Sequence, residues 1–306
     1  MNILITGALG HIGSYFFQKI KELPSVANVY ILDANFNNNL NILFKYKINN
    51  CYLFIENILK FNFYKNIKKI DYIIHLASHT NAENSLYNKN YYFLNNYNSF
   101  KKICEIAKKY NSKLIHISST SVYGKSDGIV DENCLKKFLK PQSPYAVIKL
   151  KEEEFLKKNN IDYVTLRFGT ISGVSFGMRF HTAVNKFCLN AMLGKEIPVW
   201  STALNQLRPY LSLKDAFRVV KYVISQNLFD KGIYNVLTSN LTVRNICDYI
   251  TKYSNKKIKI KFVNSEIMNQ LSYEVSTEKI KKKDFLFTGS IEKDIKETIN
   301  LLSNFK

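Results

Sequence analysis

A short apolar strand that runs straight into three glycines and then a helix leaves a chain few ways to fold. Here Ile3-Leu4-Ile5 leads directly into Thr6-Gly7-Ala8-Leu9-Gly10-His11-Ile12-Gly13. Glycine is needed where backbone turns sharply, where it approaches a pyrophosphate, and where a helix packs closely on a strand. The helix that opens there offers free N–H groups and partial positive charge to phosphate oxygens. The spacing is GxxGxxG, one position away from the GxGxxG dinucleotide fingerprint. Asp33 ends the next apolar run, 20 residues beyond Gly13, where a carboxylate can accept hydrogen bonds from adenosine ribose hydroxyls. An acid there repels a 2′-phosphate, so the two features together favour NAD over NADP. Gly7, Gly10, His11, Ile12, Gly13 and Asp33 are the first candidate cofactor residues.

The same strand-then-helix alternation continues through the first half. Apolar runs fall at 29–32, 52–55, 72–76 and 114–117, and a further run at 163–167 follows a helix that begins near Tyr145. Short runs rich in β-branched and aromatic residues suit strands buried on both faces of a parallel sheet. Alternation with helices implies right-handed crossovers and a doubly wound α/β architecture. Beyond about residue 170 the pattern loosens. A helix is predicted over 182–193, a short strand over 197–200, and helices near 214–226, 242–253 and 291–302. The expected division is a cofactor-binding domain over 1–168 and a smaller mixed region over 169–306, some segments of which return to the first domain.

The formal charge of +20 raises the question of an acidic partner. A nucleic-acid binder concentrates its charge on one stripe or arm. These lysines are spread along the chain among abundant Asn, Ile, Tyr and Phe, which reads as compositional bias. A positive field still speeds encounter with an anionic small substrate. The five cysteines are widely spaced with no CxxC pair, suggesting neither a disulfide framework nor a zinc site. No basic leader precedes the first strand and no apolar run approaches the ~20 residues of a membrane span. The expectation is a cytoplasmic protein without a membrane or nucleic-acid partner.

Tyr145 and Lys149 stand at i and i+4 on one helix face, preceded by Ser143 as N-cap and Pro144 at the first helical position. A cation beside a phenol favours phenolate and is expected to pull the tyrosine pKa below its usual ~10. Such a tyrosine exchanges a proton with a carbinol near neutral pH. The spacing alone decides nothing, because Tyr-x-x-x-Lys also starts at Tyr15, Tyr64, Tyr97, Tyr210 and Tyr253. Only Tyr145 follows a buried strand ending in Ser118-Ser119-Thr120-Ser121, at the carboxyl edge where ligands bind in this architecture. His75, His79 and His116 are not at metal-ligand spacing and read as strand-end packing or cofactor contacts.

With these pieces in hand, the chain resembles the extended short-chain dehydrogenase/reductase family. This is the NAD-dependent nucleotide-sugar epimerase/dehydratase group that includes UDP-galactose 4-epimerase. The resemblance spans nearly the whole chain. It is carried by Gly7/Gly10/Gly13, His75-Leu76-Ala77-Ser78, the Asn95-Asn96 helix start, Ser119 with Tyr145 and Lys149, Arg167-Phe168-Gly169, and Arg208-Pro209-Tyr210 before Asp215. It implies a Rossmann-type doubly wound parallel sheet with a smaller mixed C-terminal substrate-binding region, and NAD as cofactor. It further implies Tyr145 as acid/base, Lys149 as its tuner and nicotinamide-ribose partner, and Ser119 on the reacting oxygen, with the adjacent Thr120 a second candidate. Leu76, Ala77, Ser78 and Asn95 would line the cofactor, and Asn57 with Ile58 would face adenine. Arg208 would clamp a substrate diphosphate, a task suited to a guanidinium. Asn185 and Met178-Arg179-Phe180 lie where relatives cover the sugar nucleotide. Relatives also form homodimers through the helices placed here near 95–109 and 145–158, and serve nucleotide-sugar metabolism leading to cell-surface polysaccharide.

The expected activity is therefore an NAD-dependent oxidoreductase or epimerase working through a keto intermediate at C4 of a nucleotide-diphosphate sugar. The alternatives are a nucleotide-sugar 4-dehydrogenase or reductase that releases its product, and a short-chain reductase of a non-sugar ketone. Dehydratase relatives carry an Asp-Glu pair after the catalytic hydroxyl; Thr120 and Ser121 stand there instead, which disfavours water loss. The segment Asn269-Gln270-Leu271-Ser272-Tyr273-Glu274 lacks the arginine that many epimerases place near the phosphates, which departs from a UDP-hexose pattern.

Overall fold

Seven strands form one parallel sheet in the order β3-β2-β1-β4-β5-β7-β11. They are β1 (Asn2–Thr6), β2 (Asn28–Asp33), β3 (Cys51–Ile55), β4 (Tyr72–His75), β5 (Lys113–Ser119), β7 (Tyr163–Phe168) and β11 (Ile233–Val236). The computed structural model describes residues 1–34, 41–46, 48–126, 128–200, 204–263 and 273–303. The period of two along each strand explains why both faces are covered. Ile3, Ile5, Val29, Ile31, Ile115, Val164 and Leu166 enter one buried cluster, and Leu4, Tyr30, Leu32, Leu114 and Tyr163 enter another on the opposite face. The first face carries the helices His11–Gln18 and Leu213–Ser225; the second carries Asn98–Tyr110 and Pro144–Lys157.

Chain direction across the sheet reverses between β1 and β4. Their carboxyl ends lie side by side, with Thr6 paired to His75, and open a crevice at the switch point where ligands bind in this architecture.

A smaller unit stands over that edge. A three-stranded sheet joins β8 (Thr170–Ser172), β10 (Leu207–Ser212) and β12 (Ser239–Thr242). Two short pairs complete it: β9 (Ile197–Trp200) with β13 (Ile260–Val263), and β6 (Ile129–Val130) with β14 (Glu274–Val275). The helices Ala183–Met192, Val243–Ser254 and Ile291–Ser303 pack together around Val184, Cys188, Ile246, Ile250, Ile295 and Ile299. Among the described residues no helix is long and apolar enough to cross a membrane.

One feature differs from the sequence expectation. Asn95 and Asn96 do not start a helix: a helical run begins at Lys89, and both asparagines lie in a π-turn, Phe93–Tyr97, leading into Asn98–Tyr110. The widened turn carries the buried Asn96 amide to the backbone N–H and C=O of His79, a demand no local pattern announces. Strand β11 supplies a seventh member of the sheet from far beyond residue 168, because β7 still has an open edge to pair.

One buried ion pair ties helix 144–157 to the sheet. Arg167 donates to both oxygens of Glu153, at 2.9 and 2.6 Å, and Ser118 donates to Glu153 Oε1 at 2.6 Å. Replacing one partner strands the other charge in a dry site. Glu153→Gln should therefore lower the unfolding free energy by about 3–5 kcal/mol, whereas the double replacement Glu153→Met/Arg167→Met recovers most of that loss. Urea denaturation of the single and double variants reads the difference.

Candidate active site

The glycine turn is held open by contacts that exclude a side chain. Gly7 has φ +70°, and a Cβ there would meet Ala77 N at 2.6 Å and the carbonyl carbon of Leu76 at 2.8 Å. A Cβ on Gly13 would lie 2.3 Å from Gly7 O. The two glycines let the turn press against both the end of β4 and its own helix. Gly10 caps helix His11–Gln18, and its face turns toward Arg179, whose Nη2 lies 3.2 Å from where a Cβ would stand. Asp33 accepts a hydrogen bond from Leu9 N at 2.9 Å, which ties the end of β2 to the same turn.

These elements open on a cavity of about 1050 Å³. It is lined by Gly7, Gly10, His11, Ile12, Gly13, Asp33, Asn57, Ile58, Leu76, Ala77, Ser78 and Asn95 on one side, and by Ser119, Thr120, Tyr145, Lys149 and Arg208 on the other. Every candidate residue from the sequence except Asn185 and Phe180 reaches it. Asn185 is fully buried and its Nδ2 donates to Arg179 O at 3.0 Å, so it holds the chain that carries Arg179 and does not face the cavity. His11 also serves structure. Its Nε2 meets Gly173 O at 2.9 Å, and burial holds its pKa down at about 4, so the ring is neutral.

Ser143 accepts from Ala146 N at 3.2 Å and Pro144 starts the helix, as the sequence predicts. This sets Tyr145 and Lys149 toward the end of β5. The Ser119 hydroxyl lies near enough to favour the Tyr145 phenolate slightly, and the Lys149 ammonium stands 5.9 Å from the centre of the phenol ring. Thr120 is engaged elsewhere, its hydroxyl lying 3.3 Å from Phe168 O and 3.4 Å from the Tyr273 hydroxyl. Ser119 is thus the hydroxyl turned to Tyr145. The expected depression of the tyrosine does not hold in this setting. Desolvation raises the Tyr145 pKa above its usual value, and Lys149 opposes it without prevailing. A smaller contribution in the same direction comes from a residue the sequence reading passed over: Glu152, which takes the Lys149 ammonium at 2.8 Å. Its signal was an ordinary i,i+3 spacing inside a run of three glutamates.

Two further cavity residues escaped the sequence reading. Tyr273 is buried beside Thr120 and Arg208; the residues before it in the segment read with it, Asn269 to Ser272, lie outside the described residues. His181 lines the cavity next to Arg179, with its pKa lowered by burial and by that guanidinium.

The residues fit a pyrophosphate-bearing cofactor: a glycine turn crowded against backbone, a helix N-terminus facing the cavity, and a carboxylate beside it. They also fit an anionic substrate. The Arg208 guanidinium stacks 5.0 Å above Trp200, and its buried Nε and Nη2 find no hydrogen-bond partner among the described residues. Burial lowers its pKa.

Comparison with known proteins points the same way. The profile described as the NAD dependent epimerase/dehydratase family matches residues 3–236. A putative UDP-glucose 4-epimerase of Methanocaldococcus jannaschii is 31% identical over 222 residues, 70% of each chain. A trifunctional UDP-glucose 4,6-dehydratase/UDP-4-keto-6-deoxy-D-glucose 3,5-epimerase/UDP-4-keto-L-rhamnose-reductase of Arabidopsis thaliana is 26% identical across 98% of this chain. The chain spans 46% of that relative's length. In fold, the chain superposes on UDP-glucuronic acid 4-epimerase from Bacillus cereus, solved with UDP-glucuronic acid and NAD, with TM-score 0.89, 24% identity and complete coverage of both chains.

An unpartnered buried guanidinium costs a folded protein stability until an anion meets it. Arg208→Met should raise the unfolding free energy of the ligand-free protein by about 1–3 kcal/mol and abolish any stabilisation that a nucleoside diphosphate, with UDP as the probe, confers on the parent chain. Urea denaturation with and without UDP measures both effects; a destabilised ligand-free variant would count against a charge held ready for a ligand.

Proposed function

The chain belongs to the NAD dependent epimerase/dehydratase family, and from that premise we propose that it is an NAD-dependent epimerase of a nucleotide-diphosphate sugar, working through a 4-keto intermediate. The observation that carries this reading is one cavity holding a glycine turn and Asp33 on one wall, and Ser119, Tyr145, Lys149 and an unpartnered Arg208 on the other. Residues 1–168 hold the dinucleotide and 169–306 mainly the sugar nucleotide, with Ile233–Val236 returning to the large sheet.

Bound NAD, held by the glycine turn, Asp33 and Lys149, would supply a reversible hydride acceptor beside the reacting sugar carbon. This chain's residues handle the proton and the orientation. Tyr145 as phenolate takes the proton of the reacting hydroxyl while Ser119 donates a hydrogen bond to the same oxygen, and the proton goes back on the reverse step. Lys149 keeps a positive charge beside that exchange; burial pulls its pKa down, but Glu152 and Tyr145 outweigh burial and hold the ammonium above its usual range. Arg208 takes the diphosphate in the donor geometry a guanidinium offers. Epimerisation would require the ketone to turn its other face within the cavity.

Loss of water is disfavoured by what stands beside Ser119. Dehydration needs an acid and a base at the sugar; here the next two residues are Thr120, committed to Phe168 and Tyr273, and Ser121, which donates to Ser119 at 2.9 Å. We further place the protein in a reducing compartment, the cytoplasm, which suits its five free cysteines. It acts there as a homodimer through helices 98–110 and 144–157, beside which Tyr91, Leu94 and Val147 are exposed.

Incubation with UDP-, GDP- and CDP-sugars, followed by NMR of the sugar, tests the reading. The 4-epimer should accumulate without net NADH. Tyr145→Phe should lower kcat by about 10²–10⁴-fold, and Arg208→Met should raise KM about 10–100-fold. Full turnover in Tyr145→Phe, or an unchanged KM in Arg208→Met, would refute it.

A further inference from the structure

Beneath Lys149 lies a carboxylate that the reaction described above does not use. Glu152 is 1% exposed, and its Oε2 receives the Lys149 ammonium at 2.8 Å and His116 Nε2 at 3.0 Å. His116 Nδ1 meets Thr165 Oγ1 at 3.2 Å. Burial keeps the imidazole neutral, so Nε2 carries the proton toward the carboxylate and Nδ1 accepts from the threonine hydroxyl. Glu152 is thereby pinned from the sheet on one side and joined to the active site on the other. His116, Thr165 and Glu152 are all buried, so the cluster meets the cavity only through Lys149 among these groups.

We propose that Glu152 is a positioning residue of the active site: by taking the Lys149 ammonium as its own partner, it governs how much of that charge reaches the Tyr145 phenol. The inference rests on the reading that Tyr145 exchanges the substrate proton. The physical content is competition. One buried cation faces two oxygen groups, and the carboxylate is already ionised. Ionising the phenol then places a second anion beside a cation that is already neutralised, which is less favourable than pairing it with a free ammonium. The same carboxylate keeps Lys149 protonated in a site too dry to hold an isolated ammonium.

Other groups around Glu152 do not cancel this effect. His116 from β5 and His75 from β4 are neutral, and burial holds His75 down at about 3. Tyr97 from the π-turn and Cys104 from helix 98–110 are held protonated by burial. Glu153, next on the same helix, turns its carboxylate to Arg167 and Ser118. Lys149 and Tyr145 remain the groups whose balance Glu152 sets.

The test uses the full chain and needs no turnover. The tyrosinate absorbance of each protein is titrated, and the Tyr145→Phe trace is subtracted to isolate Tyr145, in the parent and in Glu152→Gln and Glu152→Asp backgrounds. In Glu152→Gln the ionisation constant of Tyr145 should rise on the order of tenfold, moving its midpoint to lower pH. Glu152→Asp keeps the charge but reaches less far, so its midpoint should fall between the two. The acid limb of kcat against pH should move in the same direction, whereas a merely structural loss lowers kcat equally at every pH. An unmoved or higher midpoint in Glu152→Gln overturns the proposal; if that variant does not fold, an unmoved midpoint in Glu152→Asp overturns it. Undiminished turnover in Tyr145→Phe would instead strike the acid/base reading and leave the titration to judge Glu152.

Discussion

The backbone at Gly7 lies closer to the Leu76-Ala77 peptide than any side chain permits, and the rest of the site depends on that approach. It occurs where β1 and β4 run side by side and the chain direction across the sheet reverses, so the two carboxyl-end turns diverge and leave a crevice between them. Everything the protein can hold is aligned to this line. Asp33 closes one end through Leu9, the helix N-terminus at Gly10 faces the middle, and β5 brings Ser119 to the far side. A β-carbon at Gly7 or Gly13 would push these turns apart and lose both the crevice and the packing of the first helix.

Across the crevice, neighbouring carboxylates on one helix serve different ends. Glu153 is saturated by Arg167 and Ser118 and joins helix 144–157 to the sheet. Glu152 turns to His116 and to Lys149. Each is buried, and each is tolerable only because its partner is buried with it. The functional helix is thus anchored by the same kind of interaction that sets the electrostatics of its Tyr-Lys pair. Burial and this balanced charge together hold the Tyr145 pKa above its usual value.

Arg208 shows the opposite economy. It comes from β10 in the small sheet, stacks on Trp200, and reaches the cavity with nitrogen donors left over. Where Lys149 is neutralised by the protein, Arg208 awaits its counter-charge from outside. The excess of lysines over the whole surface raises the local concentration of any such anion without choosing among them. The loop of the small unit that carries Arg179 and His181 lies against the glycine turn and lines the cavity.

Local order sufficed for much of this. The glycine spacing, the acid at the end of β2, the period-two apolar runs of the first half, and the Ser-Pro start of the helix bearing Tyr145 are each dictated by a few consecutive residues, because turn geometry and strand burial act over that range. The Tyr-x-x-x-Lys spacing was legible but occurs six times, and only its place after β5 separated one copy from the others. What tertiary structure alone decided depends on groups far apart in the chain. It drew β11 to the open edge of β7, put a π-turn at Asn95 and Asn96 to satisfy His79, turned Asn185 away from the cavity, and chose Ser119 over Thr120 by giving Thr120 to Phe168 and Tyr273. It also reversed the direction expected for Tyr145. Desolvation and charge compensation sum over everything packed around a group, and His116 lies 36 residues before the Glu152 it holds.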